Sequence, residues 1–239
     1  GLTGENVSQE EAKESVKKFL GLDDGVEIES TGKDDTSKMK SYSYIVTPAD
    51  GEENRQISIG VTQKGGRIMW MLSGRPVEEE KLSIEEAKKK GLEFLESKGI
   101  KNMVDTYYMT EANVATINYA YKEEGDIIVY PDLIKVKVAL DDGEVIGYEA
   151  TGYLACHTER ELKEPGISME EARAKINPRL EVESSGMAII PTDYKSEILC
   201  YEFKGKVHDR DFLIYINAEN GQEEDILIIV NTENGVLTM

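Results

Sequence analysis

Ser8-Gln9-Glu10-Glu11-Ala12 returns as Ser83-Ile84-Glu85-Glu86-Ala87, and a third time as Ser168-Met169-Glu170-Glu171-Ala172. In each copy a Ser stands three residues before a Glu, the spacing of a helix capping box. The Ser hydroxyl accepts from the third backbone N–H, and the Glu carboxylate reaches back to the N–H of the cap. Acidic residues in the first turn also suit the positive end of the helix dipole. One capping box says little; three at long, regular intervals point to three copies of one unit.

The glycines give an independent reading. Counting back nine, seven and five residues from Gly66, Gly143 and Gly221 lands on apolar residues every time. They are Ile57, Ile59 and Val61, then Ile134, Val136 and Val138, then Phe212, Ile214 and Ile216. Alternation with period two is the pattern of a half-buried strand, and the Gly beyond it reads as a hairpin turn. The three glycines lie 77 and 78 residues apart. Gly235 has Ile226, Ile228 and Val230 before it in the same pattern, so the last copy is expected to carry an additional strand.

Each unit then reads as one helix followed by an antiparallel meander. The first helix carries Ala12, Val16, Phe19 and Leu20 on one stripe and stops at Gly21; the second carries Ala87, Gly91, Phe94 and Leu95 and stops near Gly99. The third carries Ala172 and Ile176 but meets Pro178, so it is expected to be the shortest. Strand-like stretches follow each helix at 26–30, 103–109 and 180–190. The next strands centre on Tyr44, Tyr119 and Tyr201. The expected fold class is α+β: three tandem repeats, each one helix packed on a 3–4-stranded antiparallel sheet. The expected units are 1–79, 80–160 and 161–239, joined by linkers at 74–81 (with Pro76) and 157–166 (with Pro165).

The chain has 239 residues and a formal charge of −19, from 28 basic and 47 acidic residues. Such a surface repels nucleic acid and anionic membranes; its plainer reading is an acidic face kept for solubility, and its alternative a role in meeting a basic partner. With 39% hydrophobic residues it is the composition of a globular protein. No apolar run approaches a membrane span. The chain opens at Gly1 rather than Met, so it reads as a piece of a longer protein, with any anchor lying upstream.

A search for chemistry turns up little. The chain has two histidines, His157 and His208, and no HExxH pair. Cys156-His157 looks like a ligand pair, yet Cys200 and His208 stand at no zinc spacing, so neither metal nor cofactor is expected. Cys156 and Cys200 could form one disulfide in an oxidising compartment; two free thiols is the plainer reading. Adjacent Cys and His on a strand would point to opposite faces, which removes a nucleophilic dyad. The acidic turns at 141–144 and 219–225 lack the ligand frame of a calcium loop and suit hairpin turns.

Ile68-Met69-Trp70-Met71-Leu72 is apolar without alternation and holds the single Trp. Either this strand is buried on both faces, by its own helix and the next repeat, or it presents a binding patch. Met69, Trp70 and Met71 are the candidate partner-contacting residues, since Trp and Met are enriched in binding hot spots.

Several phrases resemble the PepSY family of small α-plus-antiparallel-β modules, found in peptidase propeptides and extracytoplasmic bacterial proteins. They are the strand-turn sequences Tyr215-Ile216-Asn217-Ala218-Glu219-Asn220-Gly221 and Val138-Ala139-Leu140-Asp141-Asp142-Gly143-Glu144-Val145. The stretch 199–205, the ending 231–239 and the opening Gly4-Glu5-Asn6 are similar to the C-terminal part of a spore germination protein of that family. That resemblance implies a non-enzymatic spore protein held at the inner membrane and cortex by an N-terminal anchor. It implies a partner, a spore cortex-lytic enzyme that it stabilises and restrains until germination. It supplies no catalytic residues. The wider family also admits a protease-inhibitory module, and so acidic a chain leaves a peptidoglycan-active enzyme as a third reading.

Overall fold

A computed structural model of the protein describes residues 1–23, 25–48, 53–192 and 196–239. Helix α1 (Gln9–Leu20) is followed by strands β1 (Glu27–Asp34), β2 (Ser41–Thr47), β3 (Ile57–Thr62) and β4 (Ile68–Ser73). Helix α2 (Ile84–Ser97) leads into β5 (Met103–Glu111), β6 (Val114–Glu123), β7 (Ile127–Ala139) and β8 (Val145–Glu149). Then come α3 (Thr151–Cys156), α4 (Met169–Arg173), β9 (Glu181–Pro191), β10 (Glu197–Val207), β11 (Arg210–Asn217), β12 (Glu223–Thr232) and β13 (Gly235–Thr238).

The capping boxes close at all three serines. The backbone N–H of Ser8, Ser83 and Ser168 donates to Glu11, Glu86 and Glu171 at 2.7, 2.9 and 2.8 Å. The Ser hydroxyls accept from the Glu backbone N–H groups in return. These bonds to the charged form hold all three carboxyls below the usual range. Gly21 ends α1 in the left-handed conformation, φ 68°, which lets the chain turn back without a Cβ clash. α4 has only five residues, with Pro178 just beyond it.

A tyrosine of each meander donates to a backbone carbonyl in the helix packed on it or just before that helix. Tyr44 on β2 donates to the carbonyl of Gln9, Tyr119 on β6 to that of Lys88, and Tyr201 on β10 to that of Ile167, at 2.9, 2.7 and 2.7 Å. All three are buried, and burial pushes their hydroxyls above the ordinary tyrosine range. Gly91 on α2 makes room for one of them, because a Cβ there would strike the Tyr119 hydroxyl.

The strands do not stay in separate sheets. One 13-stranded sheet runs β1-β2-β3-β4-β8-β7-β6-β5-β13-β12-β11-β10-β9, with β9 also pairing in parallel with β7. That last pairing closes β7, β6, β5, β13, β12, β11, β10 and β9 into an eight-stranded, barrel-like ring. The sequence suggested one sheet per third; fusion satisfies the backbone donors and acceptors that each separate sheet would have left at its edges. The strand after Gly235 makes part of this closure, since β13 pairs with both β12 and β5. β1 is left as the free edge, and it is charged (Glu27, Glu29, Lys33, Asp34) and bulged at Ser30/Gly32. Both devices discourage edge-to-edge association.

β7 is the branch point. Ile128 and Val129 near its start pair with β9, while Lys135 to Val138 pair with β8. Pro131 and Asp132 stand between these stretches, where the sheet forks. α1 and α2 cover one face over a core that includes Val16, Tyr44, Ile59, Leu95, Ile117 and Val136. A second core lies under α4, and a third of Ala188, Ile190, Cys200, Leu213, Tyr215 and Ile229 fills the ring. An eight-stranded closure leaves an interior just wide enough for side chains to fill. No helix among the described residues is long and apolar enough to cross a membrane.

Candidate partner-binding face

β4 lies between β3 and β8 in the open part of the sheet, one strand away from the ring. Its pairing register sorts the apolar stretch between two faces. Met71 stands opposite Ile59 and Tyr148 on the helix-covered side and is 4% exposed. Trp70 stands opposite Gly60 and Glu149 on the other side, and Leu72 opposite Ser58 and Gly147. The register shifts between Gly60 and Val61, so Met69 is the extra residue of a bulge. That shift lets Ile68 and Met71 both enter the core although they are three apart. The bulge is why the stretch reads as continuously apolar.

Met71 therefore packs into the core behind the face. Met69 and Trp70 are half-buried, and Leu72 is 49% exposed. The Trp70 indole lies over Gly60, where a Cβ would collide with its Nε1. Following the register outward, one row across the face reads Ser43, Gly60, Trp70, Glu149, Lys135, Asn118. The next reads Ile45, Ser58, Leu72, Gly147, Lys137, Thr116. Lys135 and Lys137 are exposed, so two cations flank the Trp70–Leu72 patch in an acidic protein.

Two buried arginines hold this sheet together, and sequence reading named neither. Arg75, in the first linker, donates from Nη1 and Nη2 to Asp141 at 2.8 Å each, and from Nη2 to Asp142 at 2.9 Å. Its Nε faces Glu144 at 2.8 Å. The guanidinium holds the Asp141 carboxyl down at about 2. Arg160, in the second linker, donates from Nη1 and Nη2 to Asp132 at 2.9 and 2.7 Å. It grips Glu197 on β10 from Nε and Nη2 at 2.8 and 2.9 Å. These carboxylates raise both arginines above their ordinary range. The available signal was one Arg in each Pro-containing linker of a strongly acidic chain.

The remaining candidates lie on or beside α3, in a turn and inside the ring. His157 Nδ1 lies 2.7 Å from Asp132 Oδ2, and its ring stacks on Tyr153 at 4.4 Å. His208 is exposed in the two-residue turn between β10 and β11, at φ 53°. Cys156 on α3 and Cys200 inside the ring are both free, and burial raises both thiols, Cys200 to about 12. Inside the ring Tyr130 donates to Glu202 at 2.7 Å, beside a space of about 260 Å³. Burial raises the Tyr130 and Tyr215 hydroxyls well above the ordinary tyrosine range.

The chain matches two family models. One, described as YpeB sporulation, PepSY1 and PepSY2 domains, covers residues 1–163; the other, peptidase propeptide and YPEB domain, covers 166–227. The sporulation protein YpeB of Halalkalibacterium halodurans is 39% identical over 223 residues, which is 93% of this chain and 49% of the relative. That of Bacillus subtilis is 31% identical over 228 residues, again 93% and 49%. The chain thus spans about half the length of the curated relatives it matches. The solved Bacillus megaterium YpeB C-terminal domain superposes with a TM-score of 0.82 at 31% identity, over 95% of this chain and 100% of that one.

Proposed function

For a chain that belongs to the YpeB family of sporulation proteins, we propose a non-catalytic role in which its rigid sheet binds a spore cortex-lytic enzyme (SleB-like). On this reading the chain stabilises the enzyme and restrains it until germination. It acts outside the cytoplasm, at the inner membrane and cortex, tethered by a segment upstream of these residues. The units 1–79, 80–160 and 161–239 serve as one linked array rather than as three independent binders.

A protein without catalytic groups alters a hydrolase only through differential binding, by covering its cleft or by mass action on its fold. The observation that carries the reading is the Trp70–Leu72 patch on a sheet face that neither α1 nor α2 covers. An aromatic anchor on a rigid strand offers contact area with little ordering cost. The charge of −19 steers a basic enzyme toward the protein at long range. Lys135 and Lys137, with Glu149 between Trp70 and Lys135, add a mixed-charge rim beside the anchor.

Binding of the lytic enzyme, measured by calorimetry at low and high salt with wild type and Trp70→Ala, tests this. The expected result is weaker binding at high salt and a loss of at least tenfold for the variant. Salt-independent affinity removes the steering component, and a folded Trp70→Ala protein that binds normally removes the patch. Cortex fragments hydrolysed by the purified chain alone would replace the non-catalytic reading altogether.

A further inference from the structure

On the opposite, helix-covered side, α1, α2 and α3 surround a cleft of about 610 Å³. Its size is that of a small-ligand site, where 300–1,000 Å³ is usual. Lys18, Arg67 and Lys98 line it, and no Asp or Glu does, although acidic residues outnumber basic ones 47 to 28 in the chain. Lys18 and Arg67 are exposed and have no ion pair among the described residues. Part of the wall is aromatic: Phe19 meets Tyr148 with ring centroids 5.3 Å apart, and Tyr153 stands on α3.

The C-terminal ends of α1 and α2 point here, and their free carbonyls attract cations. Lys98 answers that demand. It donates to the Phe19 carbonyl at 2.6 Å and sits about 5 Å above the Phe19 and Phe94 rings, at 5.0 and 5.1 Å. With the carbonyls partly offset, Lys18 and Arg67 remain as charge facing a hollow of mixed polar and aromatic lining. Elsewhere the buried or half-buried cations Arg75, Lys88 and Arg160 all have carboxylates beside them. Here no carboxylate among the described residues is paired with Lys18 or Arg67, so both can meet an anion from outside.

We propose that this cleft binds an organic carboxylate with an apolar body, the free C-terminus of a peptide ending in an apolar residue. The carboxylate meets Lys18 and Arg67, and the last side chain lies between Phe19, Tyr148 and Tyr153. A guanidinium fork matches a carboxylate in bidentate geometry, and the aromatic walls remove apolar surface from water. The site lies on the opposite side of the sheet from Trp70, so its failure and that of the partner-binding face are separately visible.

The test uses N-acetyl-alanyl-phenylalanine and its C-terminal amide against the 239-residue chain, followed by amide chemical shifts in NMR titration. The acid is expected to bind with shifts clustered at Phe19, Tyr148 and Tyr153, and the amide at least tenfold more weakly. A Lys18→Glu/Arg67→Glu variant, both at exposed positions, is expected to keep its circular dichroism and lose at least tenfold in affinity. Lys98→Met, which keeps the stem over the rings, is expected to weaken binding less. Absence of binding at millimolar acid, equal binding of acid and amide, or shifts elsewhere overturns the proposal. Inorganic phosphate competing as well as the peptide overturns the apolar part of the recognition. Because 1–3 also line the cleft, a version extended upstream that no longer binds the peptide would assign the space to the chain itself.

Discussion

Arg160 closes a bidentate pair on Asp132 at 2.7 and 2.9 Å, at the place where β7 hands its pairing from β9 to β8. Asp132 has a side chain 0% exposed, and Arg160 is 6% exposed. The same guanidinium reaches Glu197 on β10, so one side chain from the second linker ties the fork to the ring. Arg75 does the equivalent for the first linker, on the turn between β7 and β8. The linkers are therefore clamped rather than slack, and the sheet presents Trp70 in one fixed orientation.

Arg160→Met is expected to destabilise the protein by about 3–5 kcal/mol, because it strands the buried Asp132 charge with only His157 beside it. Adding Asp132→Asn to the same chain should recover a large part of that loss, since the uncompensated charge goes with it. Urea unfolding of the two variants measures both. A cost below about 1 kcal/mol for the single change would mean that the clamp is not structural.

Tyr44→Phe, Tyr119→Phe and Tyr201→Phe should each cost about 0.5–1.5 kcal/mol, the worth of one hydrogen bond to a backbone carbonyl. The rings keep their packing, so a larger loss would point to rearrangement, and no loss to a bond not made in solution. Denaturant midpoints at constant slope give the values.

Those tyrosines show what can be read from the chain and what cannot. The period-two pattern placed each at the centre of a strand, and the Ser-x-x-Glu phrase placed the start of each helix, because both signals are local. α3 was missed: Thr151–Cys156 carries no side-chain cap at Ala150 and forms by packing on β7. Ring closure was invisible because it rests on the pairing of Ile128 and Val129 with Ala188 and Ile189, some 60 residues away. Nothing in either strand's own alternation specifies that neighbour. For the same reason Met71 joined the candidate contacts, since only the bulge at Gly60/Val61 tells which side it takes.

Acid should release the Arg75 clamp. The guanidinium lowers Asp141 from an ordinary 3.8 to about 2, so its contribution is present above pH ~4 and is lost as pH falls through 2. The three capping Glu residues are lowered as well and act in the same direction. Asp141→Asn should flatten part of the stability slope between pH 4 and 2 while leaving neutral-pH folding intact. An unchanged slope in that variant would sink the assignment to Asp141.

Met71 and Trp70 are neighbours in sequence with opposite consequences, and that contrast tests the face assignment directly. Met71→Ala empties a core position among Ile59 and Tyr148 and should cost about 2–5 kcal/mol. Trp70→Ala removes a half-buried ring from the other face and should cost about 1–1.5 kcal/mol, roughly half the value of full burial. Gly60→Ala keeps the tryptophan but pushes the indole off the sheet, so its emission should shift to the red. If the face docks the lytic enzyme, Trp70→Ala and Gly60→Ala weaken binding, while Met71→Ala keeps full affinity in its folded fraction. Affinity lost through Met71→Ala in a fully folded sample, with Trp70→Ala neutral, would place the contact on the helix-covered side instead.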